Sequence, residues 1–309
     1  MEVMNSISIV SYENNYTKSD EKVCAKTSES YDNSKFNWKV VCFEDVPDWL
    51  QHNKYLRSYY RPVLPTFELC FWSIFRLHNQ TTNIWSHLLG ALLFNFLLMN
   101  YFPQYLTSTE DRLVFSMVCS GVILSFYGST IFHTFLCHSE KTASFVAKID
   151  YYGVSLHIFV NIMGLTYFTY YCQPLKMKAF LTFATLICVI CLCLNALSFF
   201  DQNTNFCRIF RSIVFFSFAF ISIVPQITWF LRYDWQTTSL IQYMIIMDLF
   251  YVLGVILYAS RFPECYFVGK CDIFHSHMWF HILIVGGSYY CYKTINEIAI
   301  INTKYPCQS

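Results

Sequence analysis

His277 and His281 stand four residues apart, which puts both on one face of a helix, a single turn from each other. Both imidazoles can then reach one ion at roughly 2.0–2.1 Å. Ser129 and His133 repeat the spacing far upstream. With His133 as a third ligand, three nitrogens leave a fourth tetrahedral position for water. That is the pattern of a catalytic zinc site, in which the bound water has a pKa near ~7. Asp150 is a carboxylate suited to orienting a ligand or holding that water. A single H-x-x-x-H also arises by chance, and the same side chains could form a buried polar network that hydrogen-bonds helices together. Both readings stay open on spacing alone.

The elements that must carry these groups are apolar. The chain has 309 residues, of which 55% are hydrophobic and 13% charged. A soluble domain carries roughly 25% charged residues, so lipid replaces water as the solvent for most of this chain. A net charge of +1 speaks against a nucleic-acid partner, which needs a basic patch. Residues 1–35 are polar and read as a disordered cytosolic tail without a cleavable signal, leaving the first membrane helix to target the chain. Of the 14 cysteines, most lie in apolar runs, such as Cys188, Cys191 and Cys193, and read as small packing residues.

The expected fold is an all-α membrane protein, a seven-transmembrane-helix bundle over 83–293. Its spans are 83–102, 112–135, 150–171, 178–200, 210–231, 240–260 and 274–293, each near the ~20 residues that cross a bilayer. Pro225 should kink the fifth. Residues 36–82 form a cytosolic or interfacial segment, in which Asp45-Val46-Pro47-Asp48-Trp49-Leu50 reads as the start of a short interfacial helix. The alternative for 36–82 is a small subdomain packed on the bundle. Residues 294–309 read as a short lumenal or extracellular tail.

Lys and Arg near the helix ends set the orientation. Arg76, Lys141, Lys148, Arg208, Arg211, Arg261 and Lys270 fall on one side, against Arg112, Lys176, Lys178, Arg232 and Lys293 on the other. The bias favours a cytosolic N-terminus. The sequons Asn15-Tyr16-Thr17 and Asn79-Gln80-Thr81 then face the cytosol, unmodified, and offer a topology test.

Parity brings the candidate site together. Ser129 and His133 lie near the end of the second span, Asp150 opens the third, and His277 and His281 open the seventh. The end of an even span and the start of an odd one share a membrane side, so all five converge there. His157 reads as an interhelical hydrogen bond or a cavity-lining group, and His275 points away from the site. His138 belongs to a loop, while His52, His78 and His87 read as interfacial. Asp248 is alone in the sixth span, either functional or a protonated, hydrogen-bonded acid.

Several motifs in register resemble the progestin and adipoQ receptor (PAQR) family. They are Ser73-Ile74-Phe75-Arg76-x-His78-Asn79-Gln80-Thr81-x-Asn83-Ile84-Trp85-Ser86-His87-Leu88-Leu89-Gly90, then Ser129-x-x-x-His133, Cys137-His138-Ser139-Glu140-Lys141 and Asp150-Tyr151-x-Gly153. Further on come Arg211-Ser212-Ile213-Val214-Phe215, Val224-Pro225, Arg261-x-Pro263-Glu264 and Ser276-His277-Met278-Trp279-Phe280-His281. The likeness covers about residues 44–292. It implies a seven-helix fold with a cytosolic N-terminus and Zn2+ held by His133, His277 and His281, with Asp150 and Ser129 nearby. The short tail, the first-helix motif and the Arg-Ser-Ile loop most resemble the Golgi-resident branch that tethers Raf kinase. Gln80 departs from the family's usual Glu, and Cys265 from a usual Arg.

The resemblance implies two functions. One is a receptor or signalling scaffold, in the Golgi membrane or alternatively the plasma membrane. It would take a ceramide- or steroid-like lipid, with a Raf-type cytosolic kinase docking on residues 36–82. The other is a zinc-dependent, ceramidase-like lipid amide hydrolase, with Asp150 and Ser129 as its catalytic residues. A transporter ranks last, because the sequence lacks paired broken helices and inverted repeats.

Overall fold

The computed structural model describes residues 38–200, 202, 204–232, 238–305 and 307. The tail expected over 1–35 and the sequon at Asn15 lie outside the described residues. Within them the regular structure is helical, apart from one isolated bridge between Val41 and Tyr60. The helices are α1 (Phe67–Trp72), α2 (Thr81–Asn100), α3 (Thr109–Phe135), α4 (Glu140–Thr169), α5 (Pro174–Ala196), α6 (Asn205–Phe220), α7 (Ile223–Arg232), α8 (Thr238–Ser260) and α9 (Ser276–Lys304).

Seven of these units form the bundle, with α6 and α7 sharing one span. Five are apolar and long enough to cross a membrane on that ground alone: α2, α3, α5, the α6–α7 unit and α8. The other two, α4 and α9, carry more charge and are held by packing, α4 against α3 and α5, α9 against α8 and α2. In α3, 56% of the most apolar window is buried, against 22% in α5, α6–α7 and α8. Helix α3 is therefore central, and the other three face lipid. The core around α3 contains Phe94, Phe115, Phe126, Phe168 and Ile295. Close helix approach depends on Gly121, where an added Cβ would stand 2.7 Å from Val160 Cγ1.

Hydroxyl caps set several helix starts. Ser108 accepts from the Asp111 amide at 3.0 Å, and Ser139 accepts from Thr142 N at 3.3 Å. The Ser139 cap corrects the third span, which begins at Glu140 and not at Asp150. At ~1.5 Å per residue, 30 residues reach about 45 Å. The polar first turns therefore project past the ~30 Å hydrocarbon layer, and Asp150 sits well inside the helix. Similarly α9 runs on to Lys304, burying Ile295, Ile298 and Ile301, so most of the expected 294–309 tail is helix. The fifth span breaks between Phe220 and Ile223, with Pro225 in the first turn of α7, because a proline ring clashes with the preceding turn.

The segment before α2 also differs from its expected form. Two 3-10 turns, Phe43–Asp45 and Asp48–Leu50, replace the interfacial helix expected from Asp45. Val46 and Leu50 are buried with Trp38, Leu56, Tyr60, Leu64 and Cys70 against Leu136 and Cys137. This is the packed subdomain of the alternative reading. The exposed aromatic face lies instead on α1 and the turn after it, at Phe67, Phe71, Trp72 and Phe75. Its rings continue from Trp72 through Phe75 to Trp85 in the first turn of α2, at 5.8 and 6.1 Å. The exposed apolar face of this segment is thus on α1 and not on the residues after Asp45. Asn79 of the second sequon is only 2% exposed, so the folded segment leaves no room for a glycan there.

A disulfide joins Cys172, after α4, to Cys307, beyond α9. These two cysteines stand outside the apolar runs and are not packing residues. Cys188 and Cys191, spaced C-x-x-C on α5, pack with Ile162 and Phe218 as small apolar groups.

Candidate metal centre

The site is assembled by the segment that precedes the bundle. Arg61, 3% exposed, donates to Ser73 Oγ at 2.7 Å, Thr134 O at 2.9 Å and His133 O at 2.5 Å. The guanidinium thereby satisfies carbonyls that the end of α3 leaves free and fixes the turn that carries His133. The start of α9 is fixed by Glu264, which accepts from Ser276 N at 2.7 Å and Ser276 Oγ at 2.5 Å, and also from Asn53 Nδ2 at 3.1 Å. Asp272 accepts from Ser58 N and from the Arg57 amide, tying the α8–α9 loop to the same segment.

These supports bring His133, His277 and His281 together, with one potential ligand atom from each lying within 4.8 Å of the others. His133 Nε2 and His277 Nε2 are 3.2 Å apart. Two nitrogens on a tetrahedral ion with bonds of ~2.0–2.1 Å stand about 3.3 Å apart, so the spacing fits. Two of the three Nδ1 atoms have oxygen partners, while His277 Nδ1 has none among the described residues. His133 Nδ1 meets Gln80 Oε1 at 2.8 Å, and His281 Nδ1 meets Asn83 O at 3.2 Å. Those acceptors place the protons on Nδ1 and leave the Nε2 lone pairs for a ligand. The residues fit a divalent ion with a preference for imidazole.

Asp150 and Ser129 reach the same end of the bundle. Ser129, one turn before His133, lies beside Asp150. Both are buried. The other flagged groups have separate roles. His157 Nε2 contacts Ser288 Oγ at 3.0 Å, an interhelical bond. His275 Nε2 contacts Asn79 O at 3.0 Å, pointing away from the triad as expected. Asp248 accepts from Gln226 at 3.3 Å. His138 stacks on Phe67 at 4.2 Å.

Sequence reasoning missed two neighbours. Gln80 was noted only as a departure from a motif, yet it is the Nδ1 partner of His133. His87 is buried and not interfacial. Its ring lies parallel to His281 at 3.6 Å, and neither of its nitrogens has a hydrogen-bond partner among the described residues. Nothing in the local sequence of α2 signals that contact. His78 is likewise fully buried.

Fold and site together define a seven-helix membrane protein with a buried histidine centre at one end. The chain belongs to the haemolysin-III related family, whose model matches residues 75–292. It is 33% identical over 275 residues to an adiponectin receptor protein of Drosophila melanogaster, covering 87% of this chain and 62% of that one. It is 29% identical to human progestin and adipoQ receptor family member 3, over 87% and 89% of the two chains. Heptahelical transmembrane protein 5 of Arabidopsis thaliana is 26% identical, over 84% and 90%. These relatives bear out the family likeness and the seven helices. The chain spans about 62% of the fly relative's length.

Proposed function

We propose that this protein is a zinc-binding receptor of the adiponectin-receptor type, in which the metal ties the first turn of α9 to the end of α3. The observation that carries the reading is the convergence of one ring nitrogen from each of three histidines, two of which have oxygen partners on Nδ1. A buried set of neutral imidazoles suits Zn2+. The low charge and the lipid-facing helices suit a membrane-lipid ligand of ceramide or steroid type. Residence in the Golgi membrane, or alternatively the plasma membrane, belongs to the same proposal. So does docking of a cytosolic Raf-type kinase on residues 36–82, which offer the exposed side of α1 as a surface.

The test is the zinc content of detergent-purified protein, wild type beside the His277→Ala/His281→Ala variant. About one zinc per chain in wild type, lost in the variant, supports the reading. Zinc-free wild type with intact helix content overturns it.

A second reading is a lipid amide hydrolase, favoured by the Ser129–Asp150 pair one helical turn from His133. Zinc bound there supplies Lewis-acid chemistry. Asp150 holds or moves the proton, and Ser129 orients its carboxylate. Release of fatty acid from ceramide that disappears in Asp150→Ala, with zinc retained, distinguishes this from a purely structural centre.

A further inference from the structure

Two cysteines outside the metal centre meet where the preceding segment docks on α3. Cys70 lies in α1 and Cys137 just beyond α3, 67 residues further on, and their Sγ atoms are 3.8 Å apart. They are 0% and 1% exposed. Their backbones are positioned independently, Cys137 O accepting from Leu64 N at 2.9 Å. Arg61 reaches Thr134 O, against which Cys137 Sγ also rests at 3.8 Å. Buried cysteine usually serves as a small packing group. A thiol facing a second thiol beside a fixed guanidinium is different, because a nearby positive charge favours the nucleophilic thiolate. The bond to Cys70 and the Arg61 charge hold the Cys137 thiol down to about 7, against burial. The Cys70 thiol is pushed up, first by its bond to Cys137 and then by burial.

We propose that Cys70 and Cys137 form a redox-active dithiol that a disulfide-class oxidant closes into a covalent latch between α1 and the end of α3. Closing 3.8 Å to the ~2.0 Å of a disulfide moves the sulfurs by under ~2 Å. In the first exchange the Cys137 thiolate attacks one sulfur of glutathione disulfide. A mixed disulfide forms and one glutathione thiolate leaves, taking up a proton. In the second, Cys70 loses its proton and attacks Cys137 Sγ, displacing the second glutathione. The two cysteines give up two electrons and two protons, and one glutathione disulfide becomes two glutathiones. The burial of both thiols makes access depend on α1 lifting from α3. The latch therefore records openings of the junction through which Arg61 holds His133.

The experiment uses purified full-length protein in detergent, incubated with glutathione redox buffers of increasing oxidised fraction. After acid quenching, free thiols are blocked and non-reducing digests are mapped by mass spectrometry. The expected result is a linked Cys70–Cys137 peptide that reverts on return to reduced glutathione. Hydrogen exchange over residues 61–75 should slow in the linked form. Cys70→Ser should instead leave glutathione attached at Cys137. If wild type under full oxidation yields no linked peptide while both cysteines label after denaturation, the proposal is overturned. It is also overturned if the linked form exchanges over 61–75 at the rate of the reduced one. Both decisive readouts use wild type, so a poorly folding variant does not affect them.

Discussion

Gln80 Oε1 lies 2.8 Å from His133 Nδ1 and accepts at the same time from Asn83 Nδ2 at 2.8 Å. The residue that caps the start of α2 therefore orients an imidazole carried by α3. Such an outer partner raises ligand basicity and typically contributes 10–100-fold in metal affinity. Gln80→Leu should weaken zinc binding by about that factor with helix content unchanged. Gln80→Glu, which supplies a charged acceptor, should tighten it. Competition with a chromophoric chelator measures both.

Arg61 tests whether the segment before the bundle maintains the site. Arg61→Met keeps the aliphatic stem but removes donors from Ser73 Oγ and the carbonyls of His133 and Thr134. A buried acceptor left unpaired costs about 1–3 kcal/mol. The variant should melt several degrees lower and lose zinc faster than wild type on dilution into chelator. Equal metal off-rates would remove Arg61 from the support of the site.

The α3–α4 contact predicts a paired substitution. Gly121→Ala places a Cβ 2.7 Å from Val160 Cγ1 and 2.8 Å from Val160 Cγ2, an overpacking that typically costs about 1–3 kcal/mol. Val160→Ala removes the clashing methyls. The double variant should recover part of the melting temperature lost in Gly121→Ala. Purely additive losses would place the strain elsewhere.

Orientation is testable without Asn79. If the N-terminus is cytosolic, a sequon-bearing extension fused after Ser309 should acquire a glycan, and the same extension before Met1 should not. The reverse pattern would put the histidine centre on the lumenal or extracellular side. Asn79→Gln should leave electrophoretic mobility unchanged in either case.

The apolar helices were legible because lipid imposes its own length scale on every run that crosses it. Where charge interrupts such a run, the reading shortened. Glu140, Lys141 and Lys148 looked like loop, although the Ser139 cap starts α4 ahead of them. Lys293 and Glu297 likewise hid the last turns of α9. The three imidazoles were found from their i,i+4 spacing and helix parity, both of them local rules. What remained hidden was non-local. The stack of His87 on His281 and the contact of Cys70 with Cys137 depend on how separate segments come to rest. No periodicity in α1, α2 or the α3–α4 turn encodes those distances.

With an ion in the histidine centre, helix α9 would be attached at both ends of its 29 residues, through His277 and His281 in its first two turns and through the Cys172–Cys307 bond just past the last. The two attachments are chemically independent, one sensitive to chelators and the other to reductants. Stripping the ion alone frees only the leading turns, and their return stays a unimolecular event at high effective concentration. Demetallation should therefore be reversible and local while the bond holds. Chelator and reductant together leave packing and the Glu264 contacts alone to hold the helix, so their combined effect on refolding yield should exceed the sum of the separate ones.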